Sequence, residues 1–561
     1  MRHLLTLLAL AVAAIPCAAQ SDESAHNFEV AKNLEIFNNL YKELDLYYVD
    51  TLNAEKNVSN ALLYMLGQLD PYTEYYTEKD ADGLRELTTG KYAGIGSLIA
   101  VRQSERRCIV AEPYEGMPAA EAGLLPGDII LAQDGKDYGL AEKGKEAEYS
   151  SRVSASLRGE PGTSFTLTVR RYGHPEPFDV RLTRRTVTLP SVVFSTVLRD
   201  SIGYIMLDSY KEQATRDVRI TLAALKQQGA RRLVLDLRGN PGGLLDQAVG
   251  VTNLFLPKGS EIVSLKGKHG EDGSTYRTQD EPMLPDMPLV VLVDGGTASS
   301  AEINSGALQD YDRAVIVGTR TYGKGLVQQT RQLPYNTALK MTTAKYYIPS
   351  GRCIQAYSYK NGVPQHLPDS LAREFRTAGG RSVRDGGGIQ PDVTARPDSL
   401  PTLLSYLEAS DALADYVADY HNRHATILPA AQFSLTDEEF SDFKAFLKQA
   451  KFTYDNRSKA ALDILREIAR FEGYADVTRE ELEALEGKLA HNLDYDLDHW
   501  AADIRRLVES RIVNTYYYQR GEAEYALRDD KVLETALGIL ADEAEYHRIL
   551  SRPLAETEVL E

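Results

Sequence analysis

The sequence predicts a multidomain chain. It has an α/β core with a mixed, largely parallel sheet and helices, a small β-rich unit before the core, and all-α regions at both ends. Three observations carry this. Strands and helices alternate from about Val193 to Val393. Short β-branched strands between Gly-rich turns fill the stretch from about Lys91 to Leu182. Apolar residues recur at helical spacing before and after these stretches. With 561 residues, and roughly 150 per domain, three or four folded units are expected. The 43% apolar and 26% charged content excludes disorder over most of the chain. Acidic residues outnumber basic ones by 81 to 63, so whole-surface attraction to nucleic acid or anionic lipid is not expected. Cysteines stand at 17, 108 and 353 alone, too few for a disulfide scaffold and too scattered for a zinc site.

Residues 1–19 read as an address rather than a fold. Arg2 and His3 precede an apolar run from Leu4 to Ile15, Pro16 breaks it, and Cys17-Ala18-Ala19 offers small residues before Gln20. That is a signal-peptide pattern, and the run is shorter than the ~20 residues that span a bilayer. An uncleaved anchor and lipid attachment through Cys17 are the alternatives; Pro16 fits a lipid-attachment site badly. The mature protein is expected to be exported, periplasmic and soluble, without a transmembrane segment.

In the N-terminal region (20–88), Val30, Leu34, Phe37, Tyr41, Leu44 and Tyr48 form one helical stripe. Val58, Leu62, Met65 and Leu69 form a second, stopped at Asp70-Pro71. Both stripes are read as packing. In the β-rich unit (89–185), strands are expected at Ser97–Val101, Cys108–Ala111, Ile129–Ala132, Phe165–Arg170 and Phe178–Leu182. In the core (186–398), strands are expected at Ile202–Leu207, Arg232–Leu237, Leu289–Val293, Ala314–Val317 and Lys340–Tyr347, with Gln213–Gln228 helical and Gly379–Gly388 a loop. The C-terminal region (399–561) reads as an all-α bundle, with capping boxes at Thr436–Glu439 and Thr478–Glu481. His421 and His424 share a helix face and read as solvated.

Three loops leave the carboxyl ends of core strands, where sites in α/β sheets form. They begin at Asp236-Leu-Arg-Gly-Asn-Pro-Gly-Gly243, at Asp294-Gly-Gly-Thr-Ala-Ser-Ser-Ala-Glu302, and at Gly318 running to Gln328. Ser299 stands at a strand-to-helix turn, where a helix N-terminus supplies N–H groups and partial positive charge to a developing oxyanion. A serine needs a base, and no histidine lies between residues 270 and 365. Lys324, flanked by Gly323 and Gly325, is the candidate base; Tyr322, Leu326 and Val327 suit a dry pocket, and Gln328 can orient the amine. Ser299 also fits an ordinary helix cap. Lys324 also fits a phosphate-loop lysine, but Gly325 occupies the place of the required Ser or Thr.

The segments Thr297-Ala-Ser299-Ser-Ala-Glu302, Gly323-Lys324-Gly325 and Gln328 resemble the C-terminal processing (tail-specific) peptidases of the S41 serine peptidase family. So do Asp236–Gly243, Thr342-Thr-Ala-Lys-Tyr-Tyr-x-Pro-Ser-Gly-Arg352, Gly388-Ile-Gln-Pro-Asp392 and Leu69–Tyr75. The resemblance spans about residues 30–398. It implies a peptidase core with nucleophile Ser299, general base Lys324, an assisting Gln328, and oxyanion donors at the amides of Ser300 and Gly242. The family alternates Ser and Ala around its nucleophile, and this chain departs from that order; Glu302 fixes the register on Ser299 rather than Ser300. Gly94-Ile-Gly-Ser-Leu-Ile99 and Ala119–Ile130 resemble a PDZ domain. That resemblance implies capture of a peptide C-terminus at Gly94, Ile95, Gly96 and Leu98 by strand addition. The expected activity is serine endopeptidase cleavage of proteins with exposed C-termini. A non-catalytic peptide-binding scaffold on the same fold and a small-ligand binding protein on that core are the alternatives. No metal or organic cofactor is implied. Family analogy offers regulation, homo-oligomer contacts or adaptor docking for the C-terminal helices.

Overall fold

The structure, a computed structural model, describes residues 2–78, 91–268, 273–455, 457–489 and 492–551; of residues 2–23, 91 and 457 it describes the backbone alone. The side chains behind the signal-peptide reading, and the 88–89 boundary, lie outside the described residues. No helix among the described residues is long and apolar enough to cross a membrane. Two compact units result, Met1–Tyr75 with Lys360–Val363, and Tyr76–Tyr359 with Pro364–Glu561.

The first unit holds two helices, Arg2–Tyr47 and Ala54–Gly67; the first contains the expected stripe from Val30 but begins far earlier and runs through Pro16, where a break was expected. Asn53 caps the second by accepting from the Lys56 amide at 2.9 Å. Asp70 then organises the turn, accepting from the Tyr72 amide and the Thr73 hydroxyl. The stripe read as packing is exposed: Leu34 is 65% accessible, and Val30, Phe37, Leu44 and Tyr48 are exposed with it. A spacing that marks an apolar helix face does not say what covers that face.

In the second unit, the small β unit is a sheet in the order Ser97–Arg102, Arg107–Pro113, Ile129–Gln133, Ser164–Arg170, Phe178–Thr183, with Lys136–Asp137 beside Ile129–Gln133. Ser97–Arg102 is an edge strand. The helix Glu146–Leu157 was not expected; it buries Tyr149, Val153 and Leu157 at four-residue steps among otherwise polar residues. That stripe is too narrow to stand out from composition.

The core sheet runs Val192–Leu198, Ile202–Leu207, Arg232–Asp236, Leu289–Val293, Val315–Gly318, Val393–Thr394. Its first pair is antiparallel and the rest are parallel. Ala338–Tyr347 leaves this sheet for a second, antiparallel one with Leu326–Gln332 and Glu261–Gly267. The expected loop at 379–388 contains a short strand, Ser382–Arg384, paired with Glu374–Arg376.

A parallel sheet needs cover on both faces. One face is packed by the helices Ala214–Gln227, Leu245–Asn253 and Ser300–Asp310, through residues such as Val218, Leu222, Val251 and Ile303. The other face, with Tyr204, Val234, Val290 and Leu292, is covered by Leu533, Leu537 and Leu540 of the helix Lys531–Ala541 and by Tyr546 and Ile549 of the helix that follows it. The end of the helical region thus completes the α/β core. The other C-terminal helices build a separate core around Phe440, Phe443, Leu447, Ile504 and Ile512. The Thr436 box forms as expected. At the second expected box, the Thr478 hydroxyl donates back to the Tyr474 carbonyl, and Leu485 is exposed. His424 stacks on Tyr420 and His421 lies against Tyr516, so both are half-buried rather than solvated.

Arg102, at the end of the β unit's edge strand, forms a two-pronged bond to Asp415 at 2.8 and 2.7 Å and pairs with Asp411 at 3.0 Å. These acids lie on the helix Asp411–Arg423, so the β unit is clamped to the C-terminal helices.

Replacing Leu533 by Ala is expected to cost roughly 2–5 kcal/mol, because the cavity opens directly over the sheet. A chain ended at Asp530 is expected to be insoluble. Denaturant melts and soluble yield check both; a soluble truncated chain that melts like the full one would refute the role of these helices.

Candidate active site

The three loops meet because they leave neighbouring parallel strands at the same end. The turn after Asp236 is stitched to the serine loop. Asn240, fully buried, donates to the Leu207 carbonyl, accepts the Gly242 amide at 2.9 Å, and offers its own carbonyl to the Ala298 amide. The Thr297 hydroxyl donates to the Leu237 carbonyl. A Cβ on Gly242 would fall 2.8 Å from Ser299 Cβ and 2.9 Å from the Ser300 nitrogen, so no larger residue fits there.

Ser299 opens the buried helix Ser300–Asp310 with φ 55° and ψ −117°, a conformation non-glycine residues rarely hold. Such strain persists where the surroundings fix it, and here the main agent is Glu302. Its Oε2 accepts the amides of Ser299 at 2.8 Å and Lys324 at 2.9 Å. Its Oε1 accepts the Gly323 amide at 2.8 Å and the Thr321 hydroxyl at 2.5 Å. One oxygen takes both the Ser299 and Lys324 amides, so their nitrogens can be no farther apart than those two bonds laid end to end. Burial pushes the Glu302 carboxyl up to about 7 against the opposing pull of these four donors. The folded state therefore holds this proton more tightly than the unfolded chain. This group's contribution to stability is full below the ordinary value of 4.5 and is lost as pH rises through about 7.

The far end of the helix is held by buried arginines. Arg352 donates to Gln309 and Asp310 at 2.7 and 2.8 Å, and Arg381 donates to Asp312, Asp392 and the Gln309 carbonyl. A cation there also suits the helix C-terminus.

The lysine loop runs through close quarters. The Tyr322 amide donates to the Thr297 carbonyl, the Gly323 carbonyl accepts from Ala356, and the Gly325 amide donates to Gln355 Oε1 at 2.6 Å. A Cβ on Gly323 would meet that of Ala356 at 2.4 Å, which is why glycine stands there. Lys324 is partly buried and Leu326 buried, but Tyr322 is 43% exposed. Tyr322 therefore does not supply the fully dry wall expected of it, and its ring lies against that of Tyr357. Gln328 sits at a bulge, and its Nε2 donates to the Thr342 hydroxyl at 3.2 Å. The Ser300 hydroxyl donates to the Gly243 carbonyl, and its amide is the first of the helix, where no intrahelical acceptor exists. The Gly242 amide is engaged by Asn240, a point the sequence does not reveal.

In the β unit, Gly96 has φ 70° and its missing Cβ would fall 2.3 Å from Met117 Cβ. Gly94, Ile95 and Gly96 are buried, and the Ile95 carbonyl accepts from the Ala119 amide, whereas Leu98 on the edge strand is 51% exposed. A separate cavity of about 340 Å³ lies at the strand ends, lined by residues including Asp236, Arg238, Asp294 and Asp530. None of Ser299, Lys324 or Gln328 lines it. Arg238 there bridges Asp236 and Asp530 at 2.5 and 2.6 Å.

Sequence reasoning used Glu302 as a register mark and gave no role to Asn240. For Glu302 the signal was its place one turn after Ser299, where an acid reaches back to the amide before the helix.

Residues 201–368 match the profile of peptidase family S41, residues 109–171 that of a PDZ domain, and residues 403–540 that of the probable PDZ-protease C-terminal helical domain. A carboxy-terminal-processing protease of Bartonella bacilliformis is 35% identical over 372 residues, covering 65% of this chain and 83% of that protein. A probable CtpA-like serine protease of Staphylococcus aureus is 33% identical over 339 residues, covering 60% of this chain and 65% of that one. The solved photosystem II D1 C-terminal processing protease is 27% identical, with a TM-score of 0.36 over 66% of this chain and 90% of its own. The chain belongs to peptidase family S41, among the carboxy-terminal-processing serine proteases.

Replacing Glu302 by Gln turns an NH2 group toward N–H donors. Each stranded donor is expected to cost roughly 1–3 kcal/mol, and proteolysis to fall by at least about 100-fold. The variant should also lose the stability slope between the ordinary carboxyl range and about 7. Melts across pH and a protease assay check this; wild-type cleavage would show that the carboxylate does not align the loops.

Proposed function

We propose that the protein is an exported serine endopeptidase that recognises exposed C-terminal tails and cuts peptide bonds through an acyl-enzyme. Ser299 is the nucleophile, Lys324 the general base and Gln328 its assistant. The observation that supports this most is the Glu302 oxygen shared by the amides of Ser299 and Lys324, which keeps the two residues side by side.

Ser299 Oγ attacks the scissile carbonyl as its proton passes to a neutral Lys324 amine. The oxyanion is received by the Ser300 amide and by Gly242, which exchanges its Asn240 bond for it. Lys324 returns the proton to the departing amine, and then draws one from the water that releases the acyl group. Gln328 orients the amine without supplying a counter-charge.

The tail binds as an added strand along Ser97–Arg102, its carboxylate at the backbone of Gly94–Gly96 and its side chains over Leu98. The edge position of that strand and the exposure of Leu98 support this. The organisation follows as a signal peptide (1–19), N-terminal helices (20–88), PDZ unit (89–185), peptidase core (186–398) and helical region (399–561), whose last helices also serve the core sheet. Export is to the periplasm, with attachment through Cys17 the lesser alternative.

The test uses an unfolded protein substrate with an apolar C-terminal tail, free or amidated. Ser299→Ala and Lys324→Ala are expected to fold and be inactive, and amidation to slow the wild type. Wild-type activity is expected to decline toward acid pH as the amine protonates. Mutants that still cut, or an acidic activity maximum, would overturn the Ser–Lys assignment; binding without cleavage would favour a scaffold.

A further inference from the structure

We propose that Tyr346 is a positioning residue for the Ser299–Lys324 pair; the inference rests on the roles given to those two residues above. Tyr346 lies on the strand Ala338–Tyr347 and is fully buried among Ile303, Ile348 and Ile354 of the main core. Its amide donates to the Gly325 carbonyl at 3.0 Å. Its hydroxyl donates to the Lys324 carbonyl at 2.5 Å and lies 3.2 Å from the Ser299 carbonyl. One phenol therefore touches the backbone of both residues from a third element of the fold.

The geometry complements that of Glu302. The carboxylate grips both residues by their N–H groups, and the phenol faces both by their C=O groups. A hydroxyl has a single proton. The Ser299 carbonyl already accepts the Glu302 and Ile303 amides within the helix, so the proton of Tyr346 serves Lys324. With its amide on Glu302 and its carbonyl on Tyr346, the Lys324 residue is fixed on both sides. The direction of its Cα–Cβ bond, from which the side chain sets out, follows. Phenylalanine would fill the same apolar space, so packing alone does not call for the hydroxyl.

The experiment compares the mature full chain with Tyr346→Phe, alongside Ser299→Ala and Lys324→Ala. The readouts are kcat and KM on a peptide substrate, the rate at which a fluorophosphonate phosphonylates Ser299 with loss of fluoride, and the thermal midpoint. For Tyr346→Phe, kcat and the phosphonylation rate are expected to fall together by about 10–100-fold, with KM essentially unchanged and the midpoint lowered only slightly, as for one lost hydrogen bond. Unaltered kcat and phosphonylation would overturn the proposal. So would a loss of activity that merely tracks a lowered midpoint or failure to fold, since the hydroxyl would then be structural. If Ser299→Ala or Lys324→Ala still cuts, the reading of the pair fails and this inference with it. If both are inactive while Tyr346→Phe is normal, Tyr346 alone is misassigned.

Discussion

The buried carboxylate of Glu302 is the constraint on which the site depends. It accepts from four donors on two loops that are far apart in sequence and adjacent in space. Each of those donors would be costly to leave unpaired in a dry interior, so the loops are ordered together or not at all. The strained backbone at Ser299 is tolerable for the same reason. Fixed donors on three sides leave the chain no lower-energy path that keeps its hydrogen bonds.

The scaffold carries that constraint outward. Glu302 is rigid because its helix is buried along its length, closed at one end by Ser299 and anchored at the other by Arg352 and Arg381. That helix packs on a sheet whose opposite face is sealed by the last described helices. Arg238 ties the loop after Asp236 to Asp530, at the entrance to those helices. Distant parts of the chain thus converge on a few buried charges, each compensated by a partner.

The parallel strands were legible, though not their order, because their interiors are continuous apolar runs bounded by Gly-rich loops, as at Leu289–Val293. The convergence of the loops followed from topology. Other features were not legible. Ala338–Tyr347 has the composition of a core strand, and its transfer to a second sheet depends on pairing with residues far away. The helix Glu146–Leu157 has too few apolar positions to signal itself. The stripe from Val30 to Tyr48 announces an apolar face but not its occupant. The helices after Lys531 read like any amphipathic bundle, and their sheet contact is set by tertiary packing alone. At the site, residue types pointed to Ser299 and Lys324 as the candidate pair. The hydrogen bond that engages Gly242, and the exposure of Tyr322, depend on geometry that no local spacing encodes.

The clamp at Arg102 has a consequence for energetics. The strand Ser97–Arg102 is the edge strand of its sheet, and its last residue is held by Asp411 and Asp415. Anything that stiffens or shifts this strand acts on both ends of one rigid rod. Thermodynamic linkage then makes the relation symmetric: if occupancy of the edge loosens the helical contact by some factor, releasing the helical contact tightens occupancy by the same factor. Where edge and clamp are coupled in this way, a charge change at Asp411 or Asp415 would be felt as a change of affinity along the strand edge.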